Sequence, residues 1–262
     1  IRRPPRSTLS SSSAASDVYK RQPYYIWGLH ASIAALKNNK RNIVNIFCTQ
    51  LVFDKHIKEK VKFTGSIKIV KNNDLNTLLE DKISHQGIIV ETKTLNYPKL
   101  DDVIDSSNIM IALDQVTDPQ NVGAIIRTFS FFGGENLLIT KDHSSEINGS
   151  LAKSASGALE SVNIIKVTNL SMTLKKIRKK GFIIIGLDEN SDVMLHNTND
   201  YNNEKKVLVM GSEGKGLRRL TKENCDFLVS IANNNDSDFN TLNVSVSSAL
   251  ALYEFMGRDI KK

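Results

Sequence analysis

Six short apolar runs, at 109–113, 137–140, 162–167, 182–187, 207–210 and 227–231, constrain this chain more than any other feature. Each is continuous rather than alternating. An unbroken apolar strand is covered on both faces, which is the pattern of a parallel sheet held between helix layers. Helical spacing appears between several of the runs. Val122, Ile125, Ile126 and Phe129 recur at i, i+3, i+4 and i+7. Leu170, Leu174 and Ile177 mark a second helix ending at Gly181, and Val246, Ala249, Leu250 and Tyr253 a last one. Alternating strands and helices predict an α/β domain over 109–262 with helices on both faces.

The preceding segment, 23–95, reads as a smaller α/β domain. Leu29, Ile33 and Leu36 share a helical face, strands are expected at 43–47, 67–70 and 88–90, and helical or polar segments at 54–60 and 74–83. Its many lysines read mostly as a solvated face. Residues 96–108 hold Pro98, three Asp and two Ser without periodicity, and read as a linker. Residues 1–22 are Arg- and Ser-rich with a single acid. A transit peptide has that composition, but the stretch also resembles translated adapter sequence and is read as a disordered or non-native leader. It carries five basic residues against Asp17, so +4 of the +7 formal charge belongs to it. The remaining weak basicity is compatible with RNA without requiring it.

No apolar run reaches the ~20 residues of a membrane helix. Cys48 and Cys225 match no metal spacing, nor do the five histidines, so no metal is expected. Free thiols fit a reducing compartment, hence the cytoplasm.

Three stretches carry candidate chemistry. In the first, residues 114–128, Pro119 suits a helix start, Asn121 can satisfy free amides there, and Gly123 lies one turn from Arg127, clearing room beside the guanidinium. Arg127 neighbours the buried positions 125, 126 and 129, which argues against a plain surface residue. In the second, Gly211, Gly214 and Gly216 flank Glu213 directly after a strand, where open α/β sheets bind ligands. Alone, this could equally be a turn with a solvated Glu. In the third, Thr241-Leu242-Asn243-Val244-Ser245 opens the last helix, and N-capping is the plain reading of Thr241 and Asn243. No phosphate-binding Gly-x-x-x-x-Gly-Lys-Ser/Thr and no dinucleotide Gly-x-Gly-x-x-Gly after the first strand is present, which excludes those enzyme classes.

Taken together and in order, Asn121, Gly123 and Arg127-Thr128, then Gly211, Glu213 and Gly216, then Leu242-Asn243-Val244-Ser245 resemble the three motifs of the SpoU/TrmH family of RNA ribose 2′-O-methyltransferases. Residues 153–160 resemble the family's segment between motifs one and two. Residues 24–37 and His85-Gln86-Gly87-Ile88 resemble the N-terminal domain of the subgroup that modifies large-subunit rRNA. The resemblance implies a SPOUT domain with a trefoil knot, preceded by a small α/β RNA-binding domain. It implies S-adenosylmethionine as cofactor, a homodimer, and methylation of a guanosine ribose in 23S rRNA. A tRNA target and a non-catalytic RNA-binding protein are the alternatives. By the same resemblance, Gly211, Ile231 and Leu242 would contact the cofactor, and Asn121, Arg127, Glu213, Asn243 and Thr241 would be catalytic. Glu213 would hold Arg127 or the ribose. Lys37, Lys40 and Arg41 are offered as phosphate contacts. Two departures stand out: Thr241 replaces a usual serine, and Ser230-Ile231-Ala232 lacks the family's Ile-Pro, which would loosen the cofactor loop.

Overall fold

The computed structural model describes residues 24–59, 61, 65–79, 83–198, 204–233 and 241–257. The leader and most of the polar loop at 233–240 lie outside the described residues.

The N-terminal unit is a four-stranded sheet in the order β1-β4-β2-β3, from β1 (Tyr24–Trp27), β2 (Ile43–Cys48), β3 (Ser66–Ile69) and β4 (Ile88–Thr92). Helices α1 (Leu29–Lys37) and α2 (Asn72–Leu78) cover it. The opening strand was not foreseen, because Tyr-Tyr-Ile-Trp is too short to show alternation.

The C-terminal unit matches the six apolar runs strand for strand. β5 (Ile109–Asp114), β6 (Asn136–Thr140), β7 (Asn163–Val167), β8 (Ile183–Leu187), β9 (Lys206–Gly211) and β10 (Phe227–Val229) form one sheet in the order β10-β8-β9-β5-β6-β7. Every pairing in it is parallel. Val122, Ile125, Ile126 and Phe129 of α3 (Pro119–Phe131) are buried on one side. Leu170, Leu174 and Ile177 of α5 (Leu170–Arg178) are buried on the other. Helix α4 (Gly149–Ala155) was not read from periodicity, and α6 (Val244–Leu252) closes the described chain with one further helical turn.

The expected face of α6 is reversed. Val246, Leu250 and Tyr253 are 47%, 43% and 55% exposed, while Val244, Ser248, Ala251 and Leu252 face the core. The helix is apolar nearly all round, so spacing alone could not choose a side.

The segment at 96–108 is not a loose tether. It contains a helical turn, Leu100–Val103, and Ile104 is buried in the C-terminal core. Asp101 pairs with Lys176 of α5, and Asp105 with Lys180 just beyond its end.

The two sheets dock through the stretch 149–160. Gly149 sits so close under Trp27 that a Cβ there would lie 2.0 Å from the indole. Lys153 Nζ donates to the Ser84 carbonyl at 2.8 Å. Arg41 is buried, contrary to its reading as a phosphate contact. Its Nη2 and Nε donate to Glu160 at 2.6 and 3.1 Å, Asn38 Nδ2 adds 2.6 Å, and the guanidinium lies over the Tyr24 ring. Burial pushes the Tyr24 hydroxyl up to about 12, so it stays neutral there. Lys37 and Lys40 remain exposed. Removing one partner of a buried pair strands the other, which costs about 3–5 kcal/mol. Glu160→Ala is therefore expected to lower the unfolding temperature sharply, and Arg41→Met combined with Glu160→Leu to recover much of the loss. Thermal unfolding followed by circular dichroism checks both.

Candidate active site

The carboxyl ends of β5, β9 and β10 lead into the three stretches singled out by sequence, and the fold brings their loops together. Asp118, not Asn121, caps α3. Its carboxylate accepts from the amides of Gln120 at 3.0 Å and Asn121 at 3.4 Å, with Pro119 in the first turn. The Asn121 side chain is thereby released to reach across the sheet edge.

There it meets the glycine loop. Asn121 Nδ2 donates to Glu213 Oε1 at 3.1 Å. Asn243 Nδ2 donates to the same oxygen at 2.5 Å and to Asn121 Oδ1 at 3.0 Å. The other end of Asn243 caps α6, its Oδ1 accepting from Ser245 N at 2.9 Å and Ser245 Oγ at 2.5 Å. Asn243 thus caps the helix and reaches Glu213 at once. Glu213 Oε2 has no hydrogen-bond partner among the described residues. A carboxylate bonded on one oxygen and open on the other can receive a substrate hydroxyl.

The three glycines divide the work. Gly214 and Gly216 take left-handed φ of +76° and +61° with open space around them. Gly211 is required for packing: a Cβ would lie 2.2 Å from the Gly216 carbonyl carbon and 2.4 Å from the Leu217 nitrogen. Between them Ser212 and Gly216 exchange two backbone hydrogen bonds, closing the turn.

Beside this turn lies a cavity of about 380 Å³, within the range of small-molecule sites. Gly211, Ile231, Leu242 and Thr241 all line it, with Met210, Val229 and Val244 as apolar floor and Glu213 and Glu189 at its edge. Thr241 is exposed and makes no cap, since Asn243 fills that role. On the far wall Lys222 pairs with Asp188, which was missed from sequence because its strand ends in ordinary polar residues. Burial works to raise the Asp188 pKa, but hydrogen bonds from Lys222 and Asn190 outweigh it and hold the carboxyl below its usual range.

Two expectations are corrected. Gly123 does not clear room for a guanidinium. A Cβ there would lie 2.5 Å from Ser154 Cβ and 2.7 Å from the Leu151 carbonyl, so the glycine lets α3 and α4 touch. Arg127 is exposed, and Glu213 does not hold it. Arg127 makes no hydrogen bond or ion pair with any described residue. The reason is helical: six residues beyond Asn121, it is turned about 240° away and sits about 9 Å along the axis. It borders instead a shallow apolar depression shared with Phe131, Phe132 and Ala249.

Known proteins resemble this chain along most of its length. Residues 108–253 match the SpoU rRNA Methylase family, and residues 25–98 match the family described as RNA 2′-O ribose methyltransferase substrate binding. The 23S rRNA (guanosine-2′-O-)-methyltransferase RlmB of Ralstonia nicotianae is 36% identical over 234 residues, covering 87% of this chain and 92% of that protein. Its counterpart in Escherichia coli K12 is 32% identical over 237 residues, covering 87% and 96%. Among solved structures, the SpoU methyltransferase AviRb of Streptomyces viridochromogenes in complex with AdoMet shares the fold at a TM-score of 0.76 and 18% identity, over 95% of this chain and 94% of that one. With more than half its length matched by one family model and full-length relatives above 30% identity, the chain belongs to the SpoU rRNA Methylase family.

Proposed function

We propose that this protein transfers a methyl group from S-adenosylmethionine to the 2′-hydroxyl of a guanosine ribose in 23S rRNA. The observation that carries the reading is Glu213 held between Asn121 and Asn243 at the rim of a glycine-walled cavity. The residues fit the cofactor: the cavity has the volume of a small-molecule site, an apolar floor, backbone-lined walls and the carboxylates of Glu213 and Glu189 to face a cationic ligand. Gly211, Ile231 and Leu242 would hold it. When bound, it supplies an electrophilic methyl on a sulfonium.

The chain's own residues orient the acceptor. The ribose oxygen must approach in line, and holding it there can supply several kcal/mol of the barrier. Oε2 of Glu213 accepts the hydroxyl hydrogen bond and takes the proton as the oxygen gains the methyl, while Asn121 and Asn243 fix the carboxylate from behind. Arg127 stabilises the developing alkoxide and clamps an adjacent phosphate; a guanidinium offers N–H donors and no acceptor, which suits it to those roles rather than to that of a base. Thr241 contacts the cofactor side of the site.

Arg127 lies away from Glu213 in its own chain, so we assign it to the site of a second copy. The support is the uncovered apolar face around it. Phe131 is 80% exposed and meets Phe132 edge to face, Tyr253 lies tilted against Phe132, and Val246 and Leu250 continue the stripe along α6. Large exposed apolar patches mark interfaces, and a homodimer covering this stripe also accounts for the reversed face of α6. The domain division is read as 23–95, 96–108 and 109–262, with the N-terminal unit binding RNA. A trefoil knot is carried with the family. Its support here is that β10 lies at the sheet edge while α6 returns to pack on α3 and β9. No described helix is long and apolar enough to cross a membrane, and the cytoplasmic reading rests on the rRNA substrate proposed here.

The test is methyl transfer from labelled donor to unmodified 23S rRNA and to tRNA in parallel, with the product mapped. A single ribose-methylated guanosine in 23S rRNA is expected. Label on tRNA alone would replace the substrate, and label on a base would overturn the reaction.

A further inference from the structure

Neither Asp114 nor Arg218 belongs to the motif positions, yet they make the one ion pair joining the motif-one strand to the end of the glycine loop among the described residues. Asp114 is the last residue of β5, in register with Gly211 of β9, and its side chain is fully buried. Each carboxylate oxygen receives one hydrogen bond from Arg218: the backbone amide reaches Oδ2 at 3.0 Å and Nε reaches Oδ1 at 2.6 Å. Charge-assisted pairs of this kind are short and directional. The glycine loop is thereby fastened at both ends. Gly211 packs on the backbone of Gly216 and Leu217 at one end, Arg218 is tied to Asp114 at the other, and Glu213 sits between them.

Asp114 also opens the connection that ends in Asn121. One buried carboxylate is therefore common to the two segments whose side chains meet at 3.1 Å. Hydrogen bonds weaken quickly outside about 2.7–3.2 Å, so a loop free to shift would lose the Asn121–Glu213 contact and the cavity wall with it.

We propose that Asp114 and Arg218 are positioning residues for the methyl transfer, setting the height of Glu213 over the donor cavity through the glycine loop. The proposal rests on the donor-site reading above. Arg218 is half-exposed, so Arg218→Ala removes the Nε bond without opening the core. Amide hydrogen exchange in that variant accelerates at Ser212 and Gly216 and not in β5 or β9, and donor affinity falls about tenfold as the wall loosens. Single-turnover rates with excess enzyme complete a cycle with Glu213→Gln. A residue acting through Glu213 costs much less in that background than in the wild type. Asp114→Asn, if it folds, reproduces the Arg218→Ala pattern; if it does not, Arg218→Ala decides alone. Unchanged exchange at Ser212 and Gly216, or equal losses in the two backgrounds, overturns the proposal. Full activity of Glu213→Gln alone overturns the donor-site reading instead.

Discussion

Replacing Arg127 by alanine is expected to lower kcat for RNA methylation by about 10²–10³-fold, the usual cost of removing one preorganised donor to developing charge. Donor affinity should stay near that of the unchanged protein, because Arg127 does not line the donor cavity. The fold should survive, since the side chain is exposed and makes no hydrogen bond or ion pair among the described residues. Its position also sets a sharper expectation. Arg127 borders the uncovered apolar face, while Glu213 lies at the donor cavity of the same chain. If each site takes Arg127 from one copy and Glu213 from the other, mixing Arg127→Ala with Glu213→Ala regenerates one intact site per mixed dimer. Each variant is strongly impaired alone, and the mixture regains activity. An inactive mixture in which mixed dimers are shown to form would place both residues in one chain's site.

Gly211→Ala is expected to have the second large effect. The added Cβ would meet backbone atoms at 2.2, 2.4 and 2.5 Å, and backbone cannot rotate aside as a side chain can. The loop must move, and a displacement near 1 Å can cost about 10²-fold in a positioned reaction. Titration calorimetry with the donor should show binding lost or severely weakened. Gly214→Ala is the control. Its Cβ meets nothing within 4 Å, and only the left-handed φ of +76° is penalised, by about 1–2 kcal/mol. Donor binding should survive there.

These contrasts show which parts of the molecule were legible in the sequence. The parallel sheet was, because six unbroken apolar runs leave no other way to cover both faces of each strand. The meeting of Asn121, Glu213 and Asn243 came through motif resemblance, and no local pattern states that residues 92 and 30 positions apart share a hydrogen bond. What the sequence misplaced depends on direction. Arg127 reads as inward because its neighbours are buried, yet a helix turns about 100° per residue and adjacent positions diverge. The outward face of α6 reads as a core face because apolar residues occur on both sides of the helix. Arg41 reads as a phosphate contact because basic residues beside lysines look alike in sequence, and only the fold reveals Glu160 opposite it. Gly123 and Gly149 were unreadable for the same reason, since their partners lie on other elements.

Diffraction from crystals grown with S-adenosylmethionine tests the central claim most directly. The account predicts the donor in the cavity walled by Gly211, Ile231 and Leu242, with its transferable methyl turned toward the open oxygen of Glu213. A donor bound elsewhere on the chain, or seated with its methyl turned away from that carboxylate, would contradict it.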